Sequence, residues 1–212
     1  MTYIGTSAFQ GTGLESIDLS ETKIIGYGEN TSLGNSAFQD AASLKDVTLP
    51  TGLIAIPAAS FANTTSLKSI KIPDTVNRIN AGNDTFLGAF QGSGLTSIDL
   101  SQTKVTGRSD SDQDGSWPSS GNDNRGSFSN MPNLATVTLP ANLIGIPKDA
   151  FANSTKLATV KFGTADASTP SARAVTGETN TITLPKGITR IDANAFAGTK
   201  ASTVDLSQVT GL

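Results

Sequence analysis

Short runs in which every second residue is apolar recur along this chain, each preceded by a phenylalanine. The segments are AFQGTGLESIDLS, AFQDAASLKDVTLP, SFANTTSLKSIKIP, AFQGSGLTSIDLS, SFSNMPNLATVTLP, AFANSTKLATVKFG and AFAGTKASTVDLS, built on Phe9, Phe38, Phe61, Phe90, Phe128, Phe151 and Phe196. A period of two predicts a short strand with one face buried. The inward residues are then Ile17, Val47, Ile70, Ile98, Val137, Val160 and Val204. A proline at the end of a run removes a ladder donor and turns the chain. In the third unit Val76 and Ile79 follow, three apart, as inward residues of a return segment. Each Phe is expected on a short helical turn. Two residues after it stands Gly11, Asp40, Asn63, Gly92, Asn130, Asn153 or Gly198, residue types that tolerate a left-handed conformation.

The basic spacing is 23 residues, as from Phe38 to Phe61 and from Phe128 to Phe151. A unit this short cannot bury its own apolar face, so units must stack, with rungs about 4.8 Å apart in a parallel sheet. The run Ile182-Thr183-Leu184-Pro185 lacks its own Phe turn and reads as an additional rung. The expected architecture is one elongated domain over 1–212, about seven repeats plus a partial one. Insertions fall near 26–35, 80–88, 106–126 and 163–181. Terminal repeats normally carry a polar cap. Here the first unit begins almost at its Phe turn and Leu212 follows closely on a strand, so further repeats are expected beyond this segment.

The chain has no Cys and no His, which removes disulfides, Cys- or His-ligated zinc, the Ser-His-Asp triad and the Cys-His dyad. A net charge of -3 does not suit nucleic acid, which calls for a basic face. There is no apolar run of membrane-spanning length.

The unit A-F-x-[GND]-x-x-x-L-x-x-[IV]-x-[LIF]-P, followed by a Leu or Val and an Ile, resembles the BspA-type leucine-rich repeats, known from bacterial surface proteins and some parasitic protists. The resemblance covers nearly the whole chain apart from the insertions. It implies a right-handed, curved solenoid with a parallel sheet on its concave side. It also implies a surface-exposed or secreted protein, often an adhesin for host or neighbouring-cell proteins. Ser20, Ser101 and Ser207 depart from the pattern's Pro, and Ala201 from its Leu.

A second period spans three units. The first, fourth and seventh share IDLSETK, IDLSQTK and VDLSQVT; the second and fifth share VTLPTGLIAIP and VTLPANLIGIP. The outward residue between the two inward strand positions is Asp18, Thr48, Lys71, Asp99, Thr138, Lys161 and Asp205 in turn. This column reads either as a charge-balanced surface or as a polar recognition strip. Lys71 is expected within reach of Asp99, a cross-strand pair of the kind worth about 0.2–1 kcal/mol. The neighbouring outward column, Ser16, Asp46, Ser69, Ser97, Thr136, Thr159 and Thr203, contains no aromatic residue. Binding hot spots favour Trp, Tyr and Arg, which turns attention to the insertions.

The 106–126 insertion holds the chain's single Trp, Trp117, and Asp110-Ser111-Asp112-Gln113-Asp114-Gly115. D-x-D-x-D-G is the opening half of a calcium loop. The closing Glu is absent, the twelfth position being Gly121. Asp110, Asp112 and Asp114 therefore read as a weak calcium site or as a solvated acidic loop. No other cofactor is indicated. The functional expectation is a non-enzymatic binding module outside the cell or on its surface, meeting an extracellular, host or neighbouring-cell protein. The alternative is a structural spacer that displays another domain. Binding is expected on the insertion side near Trp117 more than along the strip.

Overall fold

The seven phenylalanines form one continuous column. Ring centroids lie 5.4 Å apart from Phe9 through Phe38, Phe61 and Phe90 to Phe128, then 5.7 Å to Phe151 and 5.6 Å to Phe196. The planes are tilted by 4° to 14°. This is a stack of units in chain order, each ring packed face to face on the next. The computed structural model describes residues 1–26, 31–107, 126–163, 180–184, 187–206 and 209.

Among the described residues there is no helix; every regular element is a strand. The expected helical turn at each Phe is instead a series of tight turns. In the first unit Ala8, Gln10 and Thr12 donate back to the carbonyls of Gly5, Ser7 and Phe9. The alternate donors Ser7, Phe9 and Gly11 point away and bond Asn35, Ala37 and Gln39 of the next unit. Half of the main-chain donors thus close the turn and half join neighbours, which a helix could not do because its N–H groups are used internally.

Left-handed residues follow every Phe and precede most of them. Two residues after it the φ values run from 53° at Asn130 to 71° at Gly92, as the sequence predicts. Two residues before it Ser7, Ser36, Ala59, Asp149 and Asn194 are also left-handed, with φ of 56° to 58°. The fourth and fifth units instead carry Gly88 and Gly126 there, without a left-handed φ; close approach of the next unit demands them, since a Cβ on Gly88 would run into the Gly126 carbonyl.

Seven short strands form the main ladder, all pairings parallel. β1 (Ser16–Asp18) pairs β2 (Asp46–Thr48), with Ile17 opposite Val47. β5 (Ser97–Asp99), β6 (Thr136–Leu139) and β8 (Thr159–Phe162) form a three-stranded sheet, with Ile98, Val137 and Val160 in one row. β9 (Thr181–Thr183) lies in the Ile182 run and pairs β11 (Thr203–Asp205). The extra rung without a Phe turn is therefore present. A second parallel ladder follows the return segments: β3 (Ala55–Ile56) on β4 (Arg78–Ile79), and β7 (Gly145–Ile146) on β10 (Arg190–Ile191).

The core is a single continuous cluster between these ladders. Phe38, Phe61, Phe90, Phe128 and Phe151 are fully buried, as are Val76, Ile79, Leu134 and Leu157. Val204 lies in register with buried Ile182, as an inward residue should, but it is 43% exposed among the described residues, with Leu206 beside it. The strand ladder is also not continuous: the third rung, around Ile70, belongs to no strand pair.

Candidate functional site

The outward column is where the chemistry of this stack faces solvent. Asp18, Thr48, Lys71 and Asp99 are exposed, and Thr138, Lys161 and Asp205 are half-buried. Register places Asp18 beside Thr48, and Asp99, Thr138 and Lys161 side by side.

Two aspartates of this column, Asp18 and Asp99, turn onto their own main chain. Asp18 Oδ1 accepts the Ser20 N–H at 2.9 Å, and Asp99 Oδ1 accepts the Ser101 N–H at 2.8 Å. That explains the three-unit period in physical terms. A carboxylate can cap the N–H two residues on only where the residue there has one. Units ending in Ser20 and Ser101 carry Asp; units ending in Pro50, Pro73 and Pro140 carry Thr or Lys. The accepted Ser20 N–H, and then its hydroxyl, hold the Asp18 carboxyl below the usual carboxylate range.

Lys71 and Asp99 do not form the expected ion pair; Asp99 accepts the Ser101 N–H of its own unit instead. An ion pair that does join two units is Lys45 Nζ with Glu15 at 2.9 Å. Its hydrogen bond, then its charge, lowers the Glu15 pKa and raises that of Lys45.

The third rung is the distinctive feature of this face. Its neighbours join the fourth unit at Lys68, whose carbonyl accepts the Thr96 N–H at 3.1 Å. Beyond that point the main chain of Ser69, Ile70, Lys71 and Ile72 makes no hydrogen bond. A groove of about 820 Å³ opens there, with Val47, Leu49, Ile70 and Ile72 at its base. Lys71 and Asp99 also line it, with Ser20, Thr51, Asp74 and Gln102. The site therefore combines an apolar floor, one ammonium, carboxylates and unspent strand donors and acceptors. Such a surface can bind by contact and hydrogen bonding.

Among the described residues no group of three or more acidic side chains could hold a metal ion. Trp117, Asp110, Asp112 and Asp114, and the insertion-side surface they belong to, lie outside the described residues. So does Ser207.

Reading the sequence alone misses the groove, since KSIKIP has the same alternation as the runs that pair. It also misses a polar hollow of about 420 Å³ at the other side of the first three units, lined by Tyr3, Asn35, Arg78 and Asn80. There Arg78 Nε donates to Asn80 Oδ1 at 2.7 Å. The R-I-N succession of the return segment carries that contact, but nothing in it signals the hollow.

Comparison with known proteins bears on the same residues. A family profile described as BspA type Leucine rich repeat region matches in six copies, over residues 1–109 and 124–211. No curated protein matches the chain. Among solved structures, a T. pallidum leucine rich repeat protein superposes with a TM-score of 0.52 at 22% identity, covering 74% of this chain and 61% of its own. A leucine-rich repeat protein from Bacteroides ovatus gives 0.47 at 19% identity, over 89% of this chain and 48% of its own. The pneumococcal vaccine antigen PcpA gives 0.45 at 17%, over 97% and 58%. The chain thus spans about half to three fifths of the length of these proteins.

Proposed function

Because the chain belongs to the BspA-type leucine-rich-repeat family, we propose that it is a non-enzymatic binding module of a cell-surface or secreted protein. Its strand face is the concave side of a right-handed curved stack, and a protein of a host or neighbouring cell docks there. The observation that carries this reading is the groove over the third rung. It sets an apolar floor, Lys71, Asp99 and unspent main-chain donors within one accessible hollow. Interfaces favour such a core with a polar surround. The absence of His and Cys from the chain favours binding over catalysis.

The test is capture of extracellular-matrix and cell-surface proteins on the immobilised chain, with two variants in parallel. Lys71→Glu with Ile72→Asp alters the groove; deletion of 108–125 removes the Trp117 loop and its three aspartates. Binding lost in the first variant and kept in the second supports the groove. The reverse places the contact on the insertion side. Capture of nothing by the parent chain favours a spacer.

A further inference from the structure

The return ladder carries an arginine at two equivalent places, and the two are partnered differently. Arg78 stands in R-I-N and Arg190 in R-I-D. Arg78 lies opposite Ala55 where β4 pairs β3, and Arg190 opposite Gly145 where β10 pairs β7. The Asn80 N–H donates to the Ile56 carbonyl at 2.9 Å, and the Asp192 N–H to the Ile146 carbonyl at 2.9 Å. Each pair is backed by a left-handed glycine, Gly26 or Gly107, on which a Cβ would strike the carbonyl of Ala55 or Gly145.

At the second place the charge is neutralised from within. Arg190 Nε lies 3.0 Å from Asp192 Oδ1, a pairing of charges without an aligned hydrogen bond, and Nη2 donates to the Gly107 carbonyl at 3.4 Å. At the first place a neutral amide replaces that carboxylate: Arg78 Nε donates to Asn80 Oδ1 at 2.7 Å. Among the described residues the two Nη groups of Arg78 have no hydrogen bond and no ion pair, and the Asn35 side-chain amide and Asn80 Nδ2 are also unspent. Arg78, Asn80 and Asn35 line the polar hollow of about 420 Å³, and none of its described lining residues is acidic. That volume lies within the roughly 300–1,000 Å³ of small-molecule sites.

We infer that this hollow binds an acidic sugar. The sugar carboxylate sits on the Arg78 guanidinium, in the role that Asp192 takes beside Arg190, and its hydroxyls meet the amides of Asn35 and Asn80. A guanidinium grips a carboxylate through two parallel N–H donors, and both Nη groups of Arg78 are open for it. A hydroxyl both donates and accepts, and a side-chain amide offers both partners. An apolar ligand would leave these groups buried and unpaired, at a cost. The third-rung groove, with its apolar floor, suits a protein surface instead. The hollow and the groove share no lining residue, so this inference stands apart from the groove reading.

The experiment is calorimetric titration of the 212-residue chain with sodium glucuronate, with methyl glucoside as the neutral sugar and sodium acetate as the bare carboxylate. Glucuronate should bind about tenfold more tightly than either control, the effect of one charged hydrogen bond. Asn80→Asp, which copies R-I-D and supplies the carboxylate from within, should weaken glucuronate binding by about the same factor. Arg78→Gln should do likewise by removing the cation. Both variants should keep the parent's cooperative thermal transition; if Asn80→Asp does not fold, Arg78→Gln decides. Lys71→Glu with Ile72→Asp should bind glucuronate as the parent does. Absence of glucuronate binding, equal binding of either control, or undiminished binding by a folded Asn80→Asp or Arg78→Gln chain overturns the inference.

Discussion

The Phe corner and the strand face run along the same stack, yet they are joined in different ways. At the corner, hydrogen bonds and ring contacts link every unit to the next without a gap. On the strand face the ladder stops after β2 and resumes at β5, and the third rung between them is held by its buried side chains. Continuity of the stack therefore resides in the corner. The strand face can lose a rung of hydrogen bonds and still hold its place, which frees it to carry a groove.

The largest expected effect follows directly. Phe61→Ala removes a fully buried ring packed between Phe38 and Phe90 and should cost about 3–5 kcal/mol. Ile70→Val at the open rung should cost near the lower end of the roughly 0.5–1.5 kcal/mol range for that change. Urea unfolding of both variants measures the contrast, and equal losses would contradict a division of labour between corner and strand face.

Within the corner, Asp149 is the weak point. It is fully buried and left-handed, and neither carboxylate oxygen has a hydrogen-bond partner. A buried unsatisfied polar group costs about 1–3 kcal/mol. Asp149→Gly should therefore stabilise the chain by that amount, less the roughly 0.5–1 kcal/mol entropic penalty of glycine. The φ of 57° at Asp149 is one that glycine adopts freely. A lower midpoint for the variant would mean that the carboxylate does something these contacts do not reveal.

On the strand face, Ser101→Pro deletes the N–H that Asp99 accepts and should cost about 0.5–1.5 kcal/mol. Asp99→Thr combined with Ser101→Pro recreates the T-x-P form of the second and fifth units. The double variant should recover most of the loss, which a double-mutant cycle reads as coupling. Additive losses would undo the account of the three-unit period.

The smallest effect is on pH dependence. Asp18 and Glu15 have lowered folded pKa values, from 3.8 and 4.5 respectively. Their contribution is thus fully present above the ordinary carboxylate range and is lost as the pH falls through the folded values. Lys45, raised from 10.5, acts in the opposite sense: its share is present below that value and disappears at higher pH. Asp18→Asn should be slightly less stable than the parent at neutral pH, with the difference closing in acid. Thermal midpoints across pH 2 to 7, a range set by ordinary carboxylate titration, test this, and a difference that widens in acid would reverse the assignment.

Much of this protein was legible from residue order alone, because its repeat is local. A ring every 23 residues or more, a left-handed residue type two after it and period-two strands oblige a unit to stack on its neighbours. The extra rung at Ile182 follows from the same alternation. The left-handed residue before five of the seven Phe was hidden, since Ser7, Ala59 and Asp149 share no side-chain type. Their conformation is imposed by where the N–H must point, a demand that arises only when two units are in contact. The pairing of Asp18 with Ser20 was equally written in the order of residues, but its meaning needed the distance. Most of all, the sequence could not distinguish rungs that bond from one that does not. KSIKIP and KDVTLP alternate alike, and side-chain period reports which face is buried, not whether the backbone edges of neighbouring rungs come within hydrogen-bond reach. That spacing is set by how whole units pack, so the groove over the third rung was decided by tertiary structure alone.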